Sequence, residues 1–337
     1  MGWSSFPPEH KKSLARALGL YAGAVALVAG WIWLHSDATL RDWQKRTPLA
    51  IATVKTVAVD NLQGDTAAQT PAVETAIPMP PPSAGEGYVS LIMTDVGLSE
   101  ADTARAMQEL PTEVTLAFSP YSPTLSDWLK KAKDANRDTL ILLPMEPVNY
   151  PKEDPGPQAL LMRQSDQDNA RRLESVLRQS GGTVGAMNFM GSSLLEDEKN
   201  ITSVMTALRK RSGLFIEDPQ GGDSVASDIA ERTGTPYLRA EVKIDAKASE
   251  LDINQQLLNL ENIAKQRGYA VGIAQPYPVT FTALKNWTSH LQQRGIKLVP
   301  LAAIWQEKTR QQTAAEPPPM PNMPAPNMPA LNSPAIP

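Results

Sequence analysis

Short apolar runs alternate with stretches of helical spacing through the central part of the chain. The clearest run, residues 88–97, has the sequence YVSLIMTDVG and stops at Thr94, Asp95 and Gly97. A short apolar run that ends at a turn signal is typical of a fully buried strand in a parallel sheet. Comparable runs occupy residues 113–118, 139–143, 183–187, 213–216, 238–244, 269–274 and 296–301.

The stretches between these runs carry helix signals. Ser99, followed three residues later by Asp102, and Ser165 at the start of a helical pattern indicate N-caps. The predicted helices are residues 99–109, 124–135, 166–179, 199–211, 224–232, 250–267 and 280–294. Because strands alternate with helices, we predict an α/β fold for residues 87–306, a (β/α) barrel of about 7 to 8 units that is closed or nearly closed.

A different pattern precedes this domain. Residues 17–34 contain no charged side chain and are just long enough to span a bilayer of roughly 30 Å. We expect an uncleaved transmembrane anchor at residues 14–36, with a cleaved signal peptide as the alternative. The positive charges of residues 1–13 favour a cytoplasmic amino terminus, an inner-membrane location and a periplasmic domain.

Two segments have the composition of disordered chain. Residues 37–86 are rich in Ala, Thr and Pro, and we expect them to be an extended linker. Residues 307–337 contain a loose Pro, Met and Asn repeat, predicted to be a disordered tail. The alternative for the tail is a polyproline peptide that binds a protein partner.

Composition excludes several classes of function. The net charge of −4 provides no basic field for nucleic acid. Cysteine is absent, so disulfides and thiolate ligands are excluded. The only histidines are His10, His35 and His290, which cannot build a zinc site of the usual His and Cys type.

Polar residues follow the predicted strands at the end where ligands bind in parallel α/β folds. Asp95 is the catalytic candidate, since an acid after an apolar strand needs a partner or a ligand. The substrate-binding candidates are Glu146, Asn188, Glu217, Asp245, Gln275 and Tyr277. A solvated loop for Glu146 and a turn for Asn188 are the structural alternatives. We predict no cofactor, although Glu217, Asp218 and Asp245 leave room for a weakly held divalent cation.

The motifs LIMTDVG, LLPMEP, GAMNFMGS, FIED, VKID and GIAQPYPVT, in this order between residues 88 and 305, resemble the divergent polysaccharide deacetylase family of bacterial envelopes. The resemblance implies a barrel related to the glycoside hydrolase and deacetylase barrels. It also implies a metal bound by aspartate and histidines, which polarises an N-acetyl carbonyl and activates water, with an acid as general base.

This chain departs from the family pattern at the ionisable positions. The pattern has two acids where this chain has Thr94 and Asp95, and histidines at the positions of Leu143, Phe189 and Gln275. We therefore predict a barrel that has lost its metal site and binds an envelope glycan such as peptidoglycan, with Tyr277, Phe189 and Tyr121 as stacking faces. One alternative is an active carbohydrate esterase that pairs Asp95 with Glu217 or Asp245. The other is an interaction scaffold that acts through the tail.

Overall fold

The computed structural model describes residues 80–83, 85–219 and 222–315, in which parallel strands alternate with helices. The strands are β1 (Gly87–Val96), β2 (Thr115–Phe118), β3 (Thr139–Met145), β4 (Gly185–Met190), β5 (Leu214–Glu217), β6 (Tyr237–Arg239), β7 (Val242–Lys243), β8 (Tyr269–Ala274) and β9 (Ile296–Leu298). They form one sheet in the order β6-β5-β4-β3-β2-β1-β8-β7, with β9 paired to the start of β1.

The two strands at the ends of this order, β6 and β7, are consecutive in the chain. Between them, the Ala240 amide donates to the Glu217 carbonyl and the Glu241 amide donates to the Val271 carbonyl, each at 2.9 Å. One continuous segment is therefore bonded to β5 on one side and to β8 on the other, which curves the sheet round as in a (β/α) barrel. This change of partner divides the single strand predicted at residues 238–244 into two.

The helices are α1 (Glu100–Glu109), α2 (Leu125–Asp134), α3 (Asp166–Gln179), α4 (Glu198–Arg209), α5 (Ala226–Thr233), α6 (Glu250–Arg267), α7 (Pro278–Thr288) and α8 (Leu301–Ala315). The predicted caps of α1 and α3 are confirmed: Ser99 Oγ accepts from the Asp102 amide at 3.2 Å and Ser165 Oγ from the Asp168 amide at 3.1 Å. These bonds satisfy amides that a helix leaves unpaired in its first turn.

The strands divide their side chains between two apolar layers. In β1, Leu91 and Met93 belong to the layer between sheet and helices, whereas Tyr88 and Ile92 belong to the barrel interior. This follows from the two-residue period of a strand. Leu301 and Ile304 join the interior layer at the end where the strands begin. Helix α8 thus closes that end, and the opposite end of the barrel carries the rim described below.

The predicted domain boundary at residue 306 falls inside α8. The helix continues to Ala315. Beyond residue 306, Lys308 Nζ donates to the Tyr237 carbonyl at 2.8 Å, and Gln311 Nε2 donates to the Arg267 carbonyl at 3.1 Å. The predicted anchor at 14–36, most of the linker and the tail beyond 315 lie outside the described residues. Within the described ranges, no helix is long and apolar enough to cross a membrane.

Candidate functional site

Asp95 stands at the end of β1, at a break in strand geometry. Pairing with β2 changes register between Met93 and Val96, and Asp95 has a φ of 58°. Aspartate tolerates this left-handed conformation better than most side chains because it bonds locally. The Gly97 amide, at a φ of 99°, donates to Thr103 Oγ1 at 2.8 Å and fixes the turn into α1. The turn directs the Asp95 carboxylate towards a pocket at the rim.

A chain of hydrogen bonds joins Asp95 to the end of β8. Gln275 Nε2 donates to Asp95 Oδ2 at 2.8 Å, and the Tyr277 hydroxyl donates to Gln275 Oε1 at 2.8 Å. Asp245 supports this chain from below, since its Oδ2 accepts from the Gln275 amide and from Thr280 Oγ1, both at 2.7 Å. Asp95, Gln275 and Tyr277 therefore form one polar edge at the rim, and the structure brings these three predicted site residues together.

Both aspartates on this side of the rim are harder to ionise than an exposed aspartate. Burial raises the pKa of Asp95, although the Gln275 hydrogen bond and the nearby Lys243 charge act in the opposite direction. Burial also raises the pKa of Asp245, against the hydrogen bonds from Thr280 and from the Gln275 amide. In each case, loss of hydration outweighs the local stabilisation of the charge.

A pocket of about 260 Å³ opens beside Asp95, over the ends of β2, β3 and β4. Most of its lining is apolar and includes Leu98, Tyr121, Leu142 and Phe189. Asp95, Ser119 and Asp154 contribute polar groups to the same lining, and Asp154 Oδ1 accepts from the Gly156 amide at 2.8 Å. The pocket and the polar edge share Asp95, so a ligand can contact both.

The loop between β3 and α3 forms one wall of this pocket. The Tyr121 hydroxyl donates to the Pro155 carbonyl at 3.0 Å and accepts from the Gln158 amide at 3.1 Å. Gly156 lies between them with a φ of 102°, and a Cβ at this position would stand 2.6 Å from the Tyr121 hydroxyl oxygen. The two hydrogen bonds of the Tyr121 hydroxyl therefore fix this wall, one on each side of Gly156 in the loop.

Two predicted substrate-binding residues are engaged with the protein itself. Glu146 Oε2 accepts from the Met162 amide at 2.7 Å, which ties the two ends of the β3–α3 loop together. Asn188 is 1% exposed; its Nδ2 donates to the Asp218 carbonyl at 3.0 Å, and its Oδ1 accepts from the Asp218 amide at 2.8 Å. Both side chains therefore hold the rim loops.

Glu217, another predicted substrate-binding residue, lies away from the rim pocket. It is 1% exposed and faces the layer between sheet and helices, where its Oε2 accepts from the Tyr237 hydroxyl at 2.6 Å and from Ser224 Oγ at 3.0 Å. Asp245, 3% exposed, lies beneath Gln275 and likewise supports the site from behind. Neither acid is exposed to a substrate beside Asp95.

Lys243 is a rim residue that the sequence interpretation missed. It ends β7, its side chain is 40% exposed, and its Nζ lies 3.4 Å from Asp218 Oδ2. The strand period contained the signal: Ile244 packs in the outer layer, so Lys243 belongs on the opposite, inner face.

The position predicted for a family histidine must also be corrected by one residue. Leu143 packs in the outer layer, whereas Leu142 lines the pocket together with Asp95 and Phe189. The strand period places Leu142, and not Leu143, at the interior position of the motif. The metal that the resemblance implies does not fit these side chains, since leucine and phenylalanine offer no lone pair. Among the residues that the structure describes, no group of three or more His, Cys, Asp or Glu side chains is arranged to hold a metal ion.

Fold and site together define a parallel (β/α) barrel with one partly apolar pocket at the carboxyl ends of its strands. Residues 91–305 match the family model of divergent polysaccharide deacetylases, and the chain belongs to this family. The family predicted from the motifs is thereby confirmed.

Individual relatives support the same assignment. The chain is 28% identical over 227 residues to an uncharacterised protein of Haemophilus influenzae, covering 67% of this chain and 79% of the relative. It is 25% identical over 221 residues to the uncharacterised protein YibQ of Escherichia coli K12, covering 66% and 68%. The crystal structure of an uncharacterised Agrobacterium tumefaciens C58 protein superposes with a TM-score of 0.61 and 30% identity, over 66% of this chain and 92% of that one. None of these names gives an activity, so the function must be argued from the site.

Proposed function

We propose that this domain binds an N-acetylated envelope glycan at the rim, without a resident metal and without hydrolysing it. One observation carries the proposal. Asp95, Leu142 and Phe189 line the same pocket, at positions where the family pattern has an aspartate and two histidines. The framework that would assemble a metal site is therefore present, but two of the three side chains are apolar.

The polar edge suits the recognition of a sugar. Planar carboxylate and amide groups, such as those of Asp95 and Gln275, bond hydroxyl and acetamido groups in defined directions. Tyr277 is 40% exposed, so its ring can cover one face of a sugar while its hydroxyl keeps Gln275 oriented. The cavity of about 260 Å³ is slightly smaller than the range of roughly 300–1,000 Å³ typical of drug-sized ligands, so it suits one substituent of a sugar better than several sugar residues.

The contacts of Asp245 and Glu217 favour binding over hydrolysis by a pair of Asp95 with either of these acids. An acid-pair mechanism needs a second carboxyl group that touches the substrate or its attacking water. Asp245 is held by Gln275 and Thr280, and Glu217 lies in the outer layer with Tyr237. The alternative of an active esterase that uses either acid beside Asp95 therefore has no support in this geometry.

Calorimetric titration of the full-length protein with chitotetraose, an oligomer of N-acetylglucosamine, tests the proposal. We expect the same affinity with and without EDTA, and a loss of about tenfold in Gln275→Ala, which corresponds to roughly 1.4 kcal/mol. The control is Gln255→Ala, the same change at an exposed position of α6. Affinity that EDTA abolishes would contradict metal-free binding. An unchanged affinity in Gln275→Ala would contradict the site.

We also propose that residues 14–36 anchor the protein in the inner membrane with the barrel in the periplasm. The uncharged run at 17–34 supports this proposal. Protease added to spheroplasts should degrade the barrel and leave a cytoplasmic control protein intact. A barrel that is protected until the membrane is lysed would show that this topology is wrong.

A further inference from the structure

The pocket is larger than an N-acetyl group requires. An acetyl group has three non-hydrogen atoms, and at roughly 30 Å³ each, the volume of a water molecule in the liquid, these would fill about a third of a 260 Å³ cavity. Leu98, Leu142, Phe189 and the ring of Tyr121 contribute apolar surface to the pocket, while Asp95, Ser119 and Asp154 contribute its polar groups. Hydroxyl groups of a sugar ring that faced the apolar surfaces would lose their hydrogen bonds to water, which is unfavourable.

Exposed apolar side chains surround the same end of the barrel. The described residues include seven large hydrophobic side chains that are exposed, and five of them follow the carboxyl ends of strands: Leu98, Val148, Tyr150, Met162 and Tyr277. Leu98 follows β1 and also lines the pocket, Tyr277 follows β8, and the other three lie in the loop after β3. A concentration of exposed apolar groups around a cavity is typical of a site for an apolar ligand.

The pocket also has the rigidity expected of a binding site. Tyr121 is bonded to both Pro155 and Gln158, and Gly156 leaves the space that its hydroxyl occupies. At the other end of the barrel, Leu301 and Ile304 of α8 fill the interior. An apolar group can therefore enter only from the rim, where the wall of the pocket is already formed before the ligand binds.

We propose that the natural ligand is an amphiphilic glycan, in which a sugar carries an acyl chain of about four to eight carbons. The sugar lies on the polar edge formed by Gln275 and Tyr277, and the acyl chain enters the pocket between Leu98, Tyr121 and Phe189. Asp95, which is shared by the two regions, bonds the amide or hydroxyl group at the point where the chain is attached. This inference rests on the proposed function and specifies the class of its ligand.

The test compares glucosamine derivatives that differ only in the acyl chain. Full-length protein is titrated calorimetrically with N-acetyl-, N-butyryl- and N-hexanoylglucosamine, and with sodium hexanoate alone. We expect the affinity to rise on the order of tenfold for each two added methylene groups, the change that about 0.8 kcal/mol per buried methylene produces. Leu98→Ser should reduce this increase severalfold. Leu251→Ser, the same change at an exposed position of α6, should leave it unchanged.

The outcomes separate this inference from the proposed function. Equal affinity for the three derivatives, or an increase that Leu98→Ser does not reduce, overturns the acyl-chain inference but leaves glycan binding intact. If none of the derivatives binds and chitotetraose does not bind either, the proposed function fails as well. If sodium hexanoate binds as tightly as N-hexanoylglucosamine, the site recognises a chain without a sugar, which overturns both.

Discussion

Single residues decide what the rim presents, and two of them depart from regular strand geometry. Asp95, the last residue but one of β1, has a φ of 58°, and Met190 ends β4 with a φ of 57°. A glycine with a φ of 99° follows in both cases. Gly97 comes two positions after Asp95, and Gly191 comes directly after Met190. These turns alter the direction of the last side chains on each strand. As a result, an alternating pattern identifies interior residues up to the rim but not at the rim itself.

Histidines at Leu142 and Phe189 should create a metal site with Asp95, because the three positions line one pocket. We expect Leu142→His combined with Phe189→His to bind zinc stoichiometrically in a calorimetric titration, and the further change Asp95→Asn to abolish it. The control replaces Leu143 instead of Leu142, since Leu143 packs in the outer layer. Equal zinc binding by the control, with folding verified by circular dichroism, would contradict the assignment of Leu142 to the pocket.

Asp245 makes the stability of the protein depend on pH. Its folded-state pKa is raised by burial, so the folded state holds the proton more tightly than the unfolded state. The contribution of Asp245 to stability is therefore highest below the unfolded-state pKa of about 3.9 and is lost as the pH rises through the folded-state pKa. Asp245→Asn keeps an acceptor for Gln275 and Thr280 but cannot ionise.

We accordingly expect the free energy of unfolding of Asp245→Asn, relative to the unmodified protein, to increase from pH 4.5 to pH 7.5. Urea denaturation at both pH values measures this difference. Thr280→Val serves as a comparison, since it removes one of the hydrogen bonds to the carboxylate but leaves the ionisable group. A pH-independent difference for Asp245→Asn would show that the carboxyl group is not destabilised by burial.

At the scale of elements, the loop between β3 and α3 builds the wall of the pocket. Gly156→Ala places a Cβ 2.6 Å from the Tyr121 hydroxyl and requires alanine at a φ of 102°. We expect a loss of about 1–3 kcal/mol of stability and at least tenfold weaker chitotetraose binding. Gly181→Ala is the control because nothing lies within 4 Å of its Cβ position. Unimpaired binding in Gly156→Ala would mean that the ligand does not use this wall.

Most elements could be predicted from the sequence, since buried strands and N-capped helices leave local patterns. The starts of α1 and α3 follow from Ser99 and Ser165, and β8 ends where its apolar run ends. The change of partner between β6 and β7 could not be predicted, because it depends on which strands lie on either side. The contacts of Asn188 and Glu217 could not be predicted for a related reason, since their partners Asp218 and Tyr237 are 30 and 20 residues away in the chain.

At the scale of the whole molecule, the barrel is open to ligands at one end because α8 closes the other. Leu301 and Ile304 fill the interior, and the later turns of the helix contact the strands and α6. Proteins that end after residue 315 and after residue 306 test how much of the helix the barrel needs. The shorter protein lacks the hydrogen bonds of Lys308 to Tyr237 and of Gln311 to Arg267, and it exposes the ring of Tyr237 over which Lys308 packs.

We expect the protein that ends at 315 to unfold at the same urea concentration as the full-length chain. The protein that ends at 306 should lose roughly 2 kcal/mol or more of its free energy of unfolding, since two hydrogen bonds are worth about 1 kcal/mol each and apolar contacts are lost with them. Chitotetraose binding separates stability from function. Because the proposed site lies at the opposite end, we expect the shorter protein to bind normally at low temperature, where it remains folded. Equal stability of both truncated proteins would place the end of the domain at residue 306, as the sequence predicted, and would make the last two turns of α8 dispensable.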